Sequence, residues 1–379
     1  MRPLPAYPPY RSARTPNNKR WLSACALLVL LASGGMAMLH PAGASSGRVI
    51  WGMVGAVMLT GGLWLIRQLY YRLSVHNAQL YERLVERQQQ EWWTRHQRFF
   101  ALSEWVLLGP AGANSANWQR LLRREHRPPE VKNEASGKAL RVVMTMIDHA
   151  EGREAQLAKM LVLQWQLQRV DSPIPPIAHC YWQGSTIAWK AFCAQMQATF
   201  PQVLLPDKPH EWRGEESLSA LVEATSSLSG DEAILVAGCH SAVAAFHAEL
   251  PAGESAALWL VGQNGPVCMT RGEFYDSADA ETLADVCERA ERQSELEEPP
   301  QACMLFSHPA LPALAQSGWN VTHHLQDLNW GDPGEMELLI VLTLAAISAN
   351  YSKEPCGWIA KDTLHTLAFG IVKPYGQGK

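Results

Sequence analysis

Two apolar runs decide how this chain is organised: WLSACALLVLLASGGMAML, residues 21–39, and VIWGMVGAVMLTGGLWLI, residues 49–66. Neither run contains a charged side chain, and a short polar loop separates them. As an α-helix with a rise of about 1.5 Å per residue, each run is long enough to cross a hydrocarbon core of about 30 Å. Because a spanning segment must satisfy its own backbone hydrogen bonds, the sequence predicts a hairpin of two transmembrane helices over residues 21–66.

Basic residues near the two runs predict the orientation of this hairpin. Five basic residues precede the first run and four follow the second before residue 90, whereas the connecting loop carries only Arg48. The positive-inside rule therefore places both termini in the cytoplasm, in a multi-pass protein of the bacterial inner (cytoplasmic) membrane with the lipid bilayer as a partner. Residues 1–20 are predicted to be a disordered, basic cytoplasmic tail. A cleaved signal peptide is the alternative for residues 21–39, but the second run that follows favours the hairpin.

Residues 67–105 predict a helix that leaves the membrane. This segment contains no glycine or proline, and Leu69, Leu73, Leu80 and Leu84 recur at spacings of four and seven. Such spacing is typical of an amphipathic or coiled-coil helix. The segment is therefore either a stalk or a dimerising coiled coil, and the second alternative predicts a homo-oligomer formed through residues 67–105.

The remaining residues, 106–379, predict a cytoplasmic α/β domain. Alternating strand and helix patterns are typical of a sheet with helices on both faces. The predicted strands are residues 139–147, 177–182, 231–237, 255–261, 265–270, 301–306, 321–325, 357–360 and 367–372. The predicted helices are residues 151–170, 186–198, 217–228, 311–317 and 334–350, with a further one inside residues 273–297. The apolar part of residues 334–350 is too short for a third span and predicts a buried core helix.

Composition and motifs exclude several function classes. The formal net charge of −4 does not favour a nucleic-acid partner, which needs a basic face. Eight cysteines occur without a CxxC pair, and neither a Walker motif nor HExxH is present. We therefore expect no metal site and no cofactor. A GxSxG match at residues 43–47 lies in the loop between the two apolar runs, away from any strand–helix context.

The run VAGCHSAV, residues 236–243, is the main candidate for chemistry. The pattern predicts a strand that ends in small residues, a turn carrying Cys239 and His240, and a following helix. A thiol at a helix N-terminus has a depressed pKa and can act as a nucleophile. Two further groups could supply a base and its orienting partner. These are Asp148 with His149, and His323 and His324 with Asp327.

The run around Cys239 resembles the nucleophile region of the thiolase and β-ketoacyl synthase superfamily, where a cysteine and small residues begin a helix after a strand. Residues 329–332, Asn-Trp-Gly-Asp, are similar to the Asn-x-Gly-His segment of that superfamily, and residues 334–350 to its buried helix. The resemblance covers residues 139–374 and implies a thiolase-like fold. Asp332 stands where the motif has its catalytic histidine, which implies a degenerate active site.

Two hypotheses about function follow. The first is a membrane-tethered, non-catalytic adaptor or scaffold, an accessory part of a multiprotein envelope or secretion machine with protein partners in a membrane complex. The alternative is a membrane-anchored thiolase-like acyl-transfer enzyme that uses Cys239, with His240 and Asp332 as the other candidate catalytic residues.

Overall fold

The computed structural model describes residues 7–38, 47–143, 145, 147, 149–169, 173–279, 281–308, 311–362 and 365–375. The chain forms two compact units, residues 2–93 and 94–379. The sequence divides the chain differently, with the α/β domain beginning at residue 106.

The first unit is a helical hairpin. Its helices are α1 (Asn18–Met38) and α2 (Gly47–His96). They contact one another through polar groups, since the Thr60 hydroxyl lies 3.1 Å from the Cys25 sulfur and the Trp64 indole donates to Asn18 Oδ1 at 3.2 Å. Helix α2 continues without a break from the second apolar run through the predicted juxtamembrane segment. It ends at His96, however, and not near residue 105.

Residues 7–17 differ from the predicted disordered tail. They form neither helix nor strand, but they are hydrogen-bonded to α2 at three places along its length. The bonds are Ala13 N to Ser74 Oγ at 2.8 Å, the Arg67 guanidinium to Arg14 O at 2.7 Å, and Tyr81 Oη to Pro8 O at 2.8 Å. The rest of the predicted tail, residues 18–20, already belongs to α1, and residues 1–6 lie outside the described part of the chain.

Two helices of the described chain are long and apolar enough to cross a membrane on length and composition alone. They are residues 49–96 within α2, whose most apolar stretch is only 6 % buried, and residues 334–352, whose most apolar stretch is 72 % buried. The first includes the predicted second span. The second is covered by protein, as a core helix would be, which agrees with the sequence prediction. Membrane location and topology remain predictions.

The second unit is a mixed α/β domain. Its strands are β1 (Phe99–Leu108), β2 (Lys132–Glu134), β3 (Gly137–Ala139), β4 (Ile177–Gln183), β5 (His210–Glu211), β6 (Ala233–Ser241), β7 (Glu254–Gly262), β8 (Val267–Thr270), β9 (Glu273–Tyr275), β10 (Ala302–Leu305), β11 (His324–Leu325), β12 (Cys356–Ala360) and β13 (Leu367–Pro374). Its helices are α3 (Ser115–Leu122), α4 (Ala150–Gln168), α5 (Thr186–Thr199), α6 (Glu215–Ser227), α7 (Leu283–Gln293), α8 (Pro312–Gln316), α9 (Asp327–Trp330) and α10 (Glu337–Ser352).

Ten strands of an eleven-stranded sheet form two halves of the same topology, and the eleventh, β9, pairs with β13. The first half has the order β5-β4-β6-β7-β1, and the second has the order β11-β10-β12-β13-β8. In each half the first three strands are parallel and the last two antiparallel, and β1 pairs with β8 to join the halves. The order predicts that α6, between β5 and β6, corresponds to α10, between β11 and β12.

Helices cover both faces of this sheet. Helices α6 and α10 pack against one face of both halves in a single core, which includes Trp259 and Trp358. On the opposite face, α4 and α5 cover the first half, and α7 and α8 cover the second. Thus α10 is buried because it lies inside the domain, between the two halves. The predicted α/β class, with helices on both faces, is confirmed.

Two predicted strand boundaries are wrong. Residues 99–105 form strand β1 because they pair on both sides, with β7 and β8, whereas the sequence assigns them to the juxtamembrane helix. Of the described residues in the predicted strand 139–147, only Ala139 lies in a strand. The next residues lie against β6 and β7 through the buried carboxylate of Glu254, which accepts from Val142 N and Thr145 Oγ1. Met144 and Met146 lie outside the described residues.

Candidate functional site

A cleft lies where the two halves of the sheet meet the first turns of α6 and α10. The parallel strands β4, β5, β10 and β12 all end at this cleft, which has a volume of about 590 Å³. The carboxyl ends of parallel strands are the usual place for ligands in open α/β sheets. The same topology that repeats in the two halves therefore brings two helix N-termini and four strand ends to one place.

Glycines allow the backbone to approach closely at both helix starts. Gly214, immediately before α6, has φ +54° and ψ −117°, a conformation that side chains with a Cβ rarely adopt. Gly334, just before α10, has φ +53°, and a Cβ there would lie 2.7 Å from Nε2 of His240. Both helix starts therefore depend on the absence of a side chain.

The lining of the cleft is acidic. Six carboxyl groups reach it, and only two basic side chains accompany them. The acidic residues are Glu211, Glu216, Asp332, Glu335, Glu337 and Asp362, and the basic residues are Arg213 and Lys361. Arg213 is itself bonded to the Glu211 carboxylate at 3.0 Å. The cleft consequently favours positively charged groups over anions.

Glu337 is the most constrained of these acids. Its Oε1 accepts a hydrogen bond from the backbone N–H of Lys361 at 2.9 Å, which links the start of α10 to the end of β12. Burial raises the pKa of the Glu337 carboxyl, against the lowering effect of that hydrogen bond and of the Lys361 charge. Burial of this side chain therefore destabilises its ionised form relative to its protonated form.

Asp362 also meets two further side chains, Glu215 and His365, beside the cleft. Nδ1 of His365 lies 2.8 Å from Oδ2 of Asp362 and 3.5 Å from Oε2 of Glu215. Glu215 belongs to the first turn of α6, whereas Asp362 and His365 belong to the connection between β12 and β13. The imidazole ring packs against Phe274 with ring centroids 5.2 Å apart, which fixes its orientation. The three therefore bring two carboxylates and one imidazole together from opposite halves of the domain.

Cys239 does not occupy the predicted position at a helix N-terminus. Strand β6 continues through it to Ser241, because residues 238–241 pair with β7, and the described residues that follow contain no helix before β7. The side chain is fully buried against α4, with its sulfur 3.5 Å from the carbonyl oxygen of Glu154. Burial, and secondarily the Glu154 charge, raise the pKa of this thiol well above its ordinary value. The geometry is the opposite of that of an activated cysteine.

His240 and Asp332, in contrast, both lie close to Gly334. Because side chains alternate along a strand, His240 points away from Cys239, and its ring packs on Gly334. Asp332 lines the cleft, and its Oδ1 accepts from Gly334 N at 3.0 Å. His240 also lies 3.8 Å from a Glu154 carboxylate oxygen. His240 and Asp332 therefore both lie against the loop that contains Gly334, while Cys239 lies on the other face of β6.

The other predicted base groups are not joined to Cys239. His149 precedes α4 as its N-cap residue, and Asp148 lies outside the described residues. His323 contacts Asn320 at 2.7 Å, and Asp327 begins α9. Burial lowers the pKa of His324 to about 4. Among the described contacts, no hydrogen bond or ion pair links any of these residues to Cys239.

Sequence reasoning missed Glu215, Glu337, Asp362 and His365. A local signal existed only for Glu215, since Gly-Glu-Glu before an apolar pattern is typical of a helix start. Asp362 and His365 lie in a connection that looks like an ordinary hairpin turn. The convergence of these residues depends on the order of strands in the sheet, which no local pattern contains.

Comparison with solved structures finds proteins with a similar fold. The structure is similar to that of the ishigamide ketosynthase/chain length factor, with 13 % identity and a TM-score of 0.51 over 73 % of this chain and 99 % of that chain. The described topology and this match agree. The domain has the thiolase-like fold.

Two other solved structures resemble it at a lower score. The ketosynthase from module 6 of the bacillaene synthase of Bacillus subtilis 168 is 9 % identical, with a TM-score of 0.49 over 73 % of this chain and 70 % of that chain. HMG-CoA synthase complexed with CoA is 13 % identical, with a TM-score of 0.41 over 73 % and 81 %. No protein-family model and no curated protein matches the sequence. At these identities the likeness concerns the fold.

The thiolase-like fold confirms the resemblance proposed for residues 139–374. Cys239, however, does not lie at the helix start where the resemblance implied a nucleophile. The helix that follows a strand and begins at the cleft in the first half is α6, not a segment after Cys239. Its first residues, Gly214 and Glu215, include no thiol or hydroxyl. None of the eight cysteines of the chain, all of which are described, lines the cleft.

Proposed function

We propose that this protein is a membrane-tethered thiolase-fold domain that binds a partner instead of condensing acyl groups. The observation that carries the proposal is the acidic, thiol-free cleft at the start of α6 and α10. A nucleophilic acyl transfer needs a cysteine or similar group that reaches the substrate, activated by a base or by a lowered pKa. At this cleft the corresponding helix start carries Gly214 and two glutamates.

The charge of the cleft also opposes acyl-CoA chemistry. An acyl-CoA or a phosphopantetheine-linked acyl chain is anionic, and six carboxyl groups against two basic side chains repel such a substrate. Acyl transfer by Cys239 gains no support either, because that thiol is buried on the far face of β6 with a raised pKa. A binding function therefore suits both the residues and the charge.

The apolar helices suggest where the domain acts. The long helix α2 contains an apolar stretch that is only 6 % buried, and the sequence places a second apolar run before it. An exposed apolar surface of this length is favourable in a bilayer and unfavourable in water. We propose an adaptor or scaffold of the bacterial inner membrane, with both termini cytoplasmic, as an accessory part of a multiprotein envelope or secretion machine.

Covalent labelling tests the non-catalytic part of this proposal. The full-length protein in mild detergent is treated with iodoacetamide at neutral pH, and each cysteine is followed by mass spectrometry. We expect Cys239 to be labelled no faster than the half-buried Cys193. Incubation with acetyl-CoA or malonyl-CoA should leave the intact mass unchanged. Rapid selective labelling of Cys239, or a stable acyl adduct on it, would contradict the proposal.

Affinity purification from native membranes tests the scaffold part. Wild type is compared with Glu335→Arg, which changes the cleft, and with Glu232→Arg, which makes the same charge change at a partly exposed position outside the cleft. We expect one or more proteins to copurify in near-stoichiometric amounts with wild type and with Glu232→Arg. The same proteins should be lost from the Glu335→Arg sample. Absence of any such protein, or equal recovery with all three chains, would argue against a scaffold that uses this cleft.

A further inference from the structure

We propose that Glu215, Asp362 and His365 bind one divalent transition-metal ion at the edge of the cleft. Each side chain offers one ligand atom, and the three atoms all lie within 4.8 Å of one another. The imidazole nitrogen is the shared neighbour of both carboxylates, at 2.8 and 3.5 Å. This inference does not depend on the proposed membrane tether or on the scaffold role.

The spacing of the ligand atoms fits a single ion. Zinc bonds to histidine nitrogen and to carboxylate oxygen at about 2.0–2.2 Å, so neighbouring ligand atoms lie about 3.0–3.5 Å apart for right-angled or tetrahedral arrangements. The two measured separations from Nδ1 lie close to this interval. All three atoms, including the two carboxylate oxygens, lie within 4.8 Å of one another, so one ion can contact all three once the side chains rotate towards it.

The donor set indicates the class of ion. One imidazole with two carboxylates suits zinc, manganese or iron(II), whereas calcium and magnesium prefer sites made of oxygen alone. Three protein ligands leave further coordination positions for water or another molecule, as in catalytic and exchangeable sites. Asp362 itself lines the cleft, so the cluster adjoins the space where a bound partner or small molecule would lie.

The surroundings favour a cation and hold the ligands in place. The Asp362 side chain is 4 % exposed and the Glu215 side chain 12 % exposed, so solvent screening is weak. Arg213, one of the two basic residues of the cleft, lies within ion-pair distance of Glu211 and Glu216, neither of which belongs to the cluster. Phe274 against the imidazole restricts the ring. Two carboxylates in a weakly screened place thus favour the binding of a cation.

Binding of manganese(II) provides the direct test. The full-length protein, purified in nonionic detergent after treatment with a chelator, is titrated with MnCl₂ and followed by electron paramagnetic resonance. We expect one ion per chain, nitrogen modulation from a coordinated imidazole in the pulsed spectrum, and displacement by zinc. Failure of wild type to bind manganese or zinc stoichiometrically at neutral pH would overturn the inference, whatever the variants show.

Adjacent glutamates supply a matched pair of variants. Glu215→Gln removes a proposed ligand, whereas Glu216→Gln removes the same charge from the next residue of the same helix turn, which is exposed. Losing a ligand should weaken binding by more than the roughly tenfold to hundredfold that loss of an outer-shell partner costs. Glu216→Gln should change the affinity by less than about threefold, since it alters only a screened charge.

His365→Asn separates coordination from accumulation of cations by a negative surface. The variant keeps both carboxylates, and we expect it to lose the nitrogen modulation together with tight binding. Circular dichroism confirms that each variant remains folded. Equal affinity for Glu215→Gln and Glu216→Gln, or nitrogen modulation that survives in His365→Asn, would show that the cluster is a hydrogen-bonded ion network and not a metal site.

Discussion

Helices α2 and α10 are both long and apolar enough to cross a membrane, yet they contact very different surroundings. Their most apolar stretches have mean hydropathies of 1.9 and 1.2, but the stretch in α2 is 6 % buried and the one in α10 is 72 % buried. Hydropathy alone therefore does not separate a helix that needs a bilayer from one that needs a protein core.

The difference lies in how each helix is placed in the chain. Helix α10 follows β11 and precedes β12, so both its ends are fixed to the sheet and every residue from Leu338 to Ala349 is buried. Helix α2 is 50 residues long and changes from an apolar run to a charged segment along one continuous rod. A helix whose apolar surface is not covered by its own unit needs another apolar environment.

The largest effect is expected from a charge inside α10. Leu344→Asp places a carboxylate at a position with no exposure, within the core shared by the two halves. An unpaired buried charge costs several kcal/mol, and with the lost packing of Leu344 the total is comparable to the usual stability margin of about 5–15 kcal/mol. We expect the variant to lose near-ultraviolet circular dichroism and cooperative melting. A cooperative transition within a few degrees of wild type would show that α10 is not part of the core.

The matched change in α2 should spare the domain. Leu59→Asp alters a residue that is 61 % exposed, so residues 94–379 should melt as in wild type. A carboxylate near the centre of a membrane helix costs about 2.5–3.5 kcal/mol on insertion, and the fraction resistant to carbonate extraction should fall. Unchanged extraction would argue that α2 does not span a bilayer. Loss of domain melting would argue that α2 is buried by protein.

The same contrast shows what the sequence could predict. Apolar runs, the buried helix 334–350 and the closing strand pair were visible because each is specified by local periodicity and length. The end of α2 was not, because Phe99 and Leu102 continue the spacing of the preceding helix. Only their pairing with β7 and β8, distant in the sequence, makes them a strand. The fold class was therefore predictable, whereas the boundary was not.

The candidate site was harder to predict than the fold. Gly238 before Cys239 indicates a turn by local rules, but β7 pairs with residues 234–241 and extends β6 through this segment, while β4 pairs only as far as Gly238. Glu215 and His365 are 150 positions apart in the sequence and meet because the two halves repeat one topology. A single sequence contains residue types and spacings. It does not contain the strand order that converts them into a cleft.

An intermediate effect is expected from a buried hydrogen bond between α10 and strand β7. The indole N–H of Trp259 donates to Thr343 Oγ1 at 2.7 Å, and both side chains are fully buried. Thr343→Val keeps the shape but leaves the indole without its acceptor, which costs about 1–3 kcal/mol. Thr343→Ser keeps the acceptor and should lose less. Equal loss of thermal stability in the two variants would show that packing, not the hydrogen bond, matters here.

The smallest effect is expected at the start of α10, where the carboxyl group of Glu337 is buried. Burial raises the pKa of Glu337 above its value in the unfolded chain. The folded protein therefore binds more protons between the two pKa values, and this contribution to stability is present below the unfolded pKa and is lost as the pH rises through the folded one.

Glu337→Gln removes that titration while keeping an oxygen to accept from Lys361 N. We expect the variant to melt slightly above wild type at pH 7–8 and together with it below about pH 4, where an unperturbed glutamate is largely protonated. A difference that is independent of pH would mean that the carboxylate is stabilised by the α10 N-terminus as much as it is penalised by burial. A lower melting point for the variant at neutral pH would mean that this stabilisation exceeds the penalty. The start of α10 would then favour negative charge despite being inside the protein. Length and hydropathy, the two properties that α10 shares with α2, do not reveal this preference.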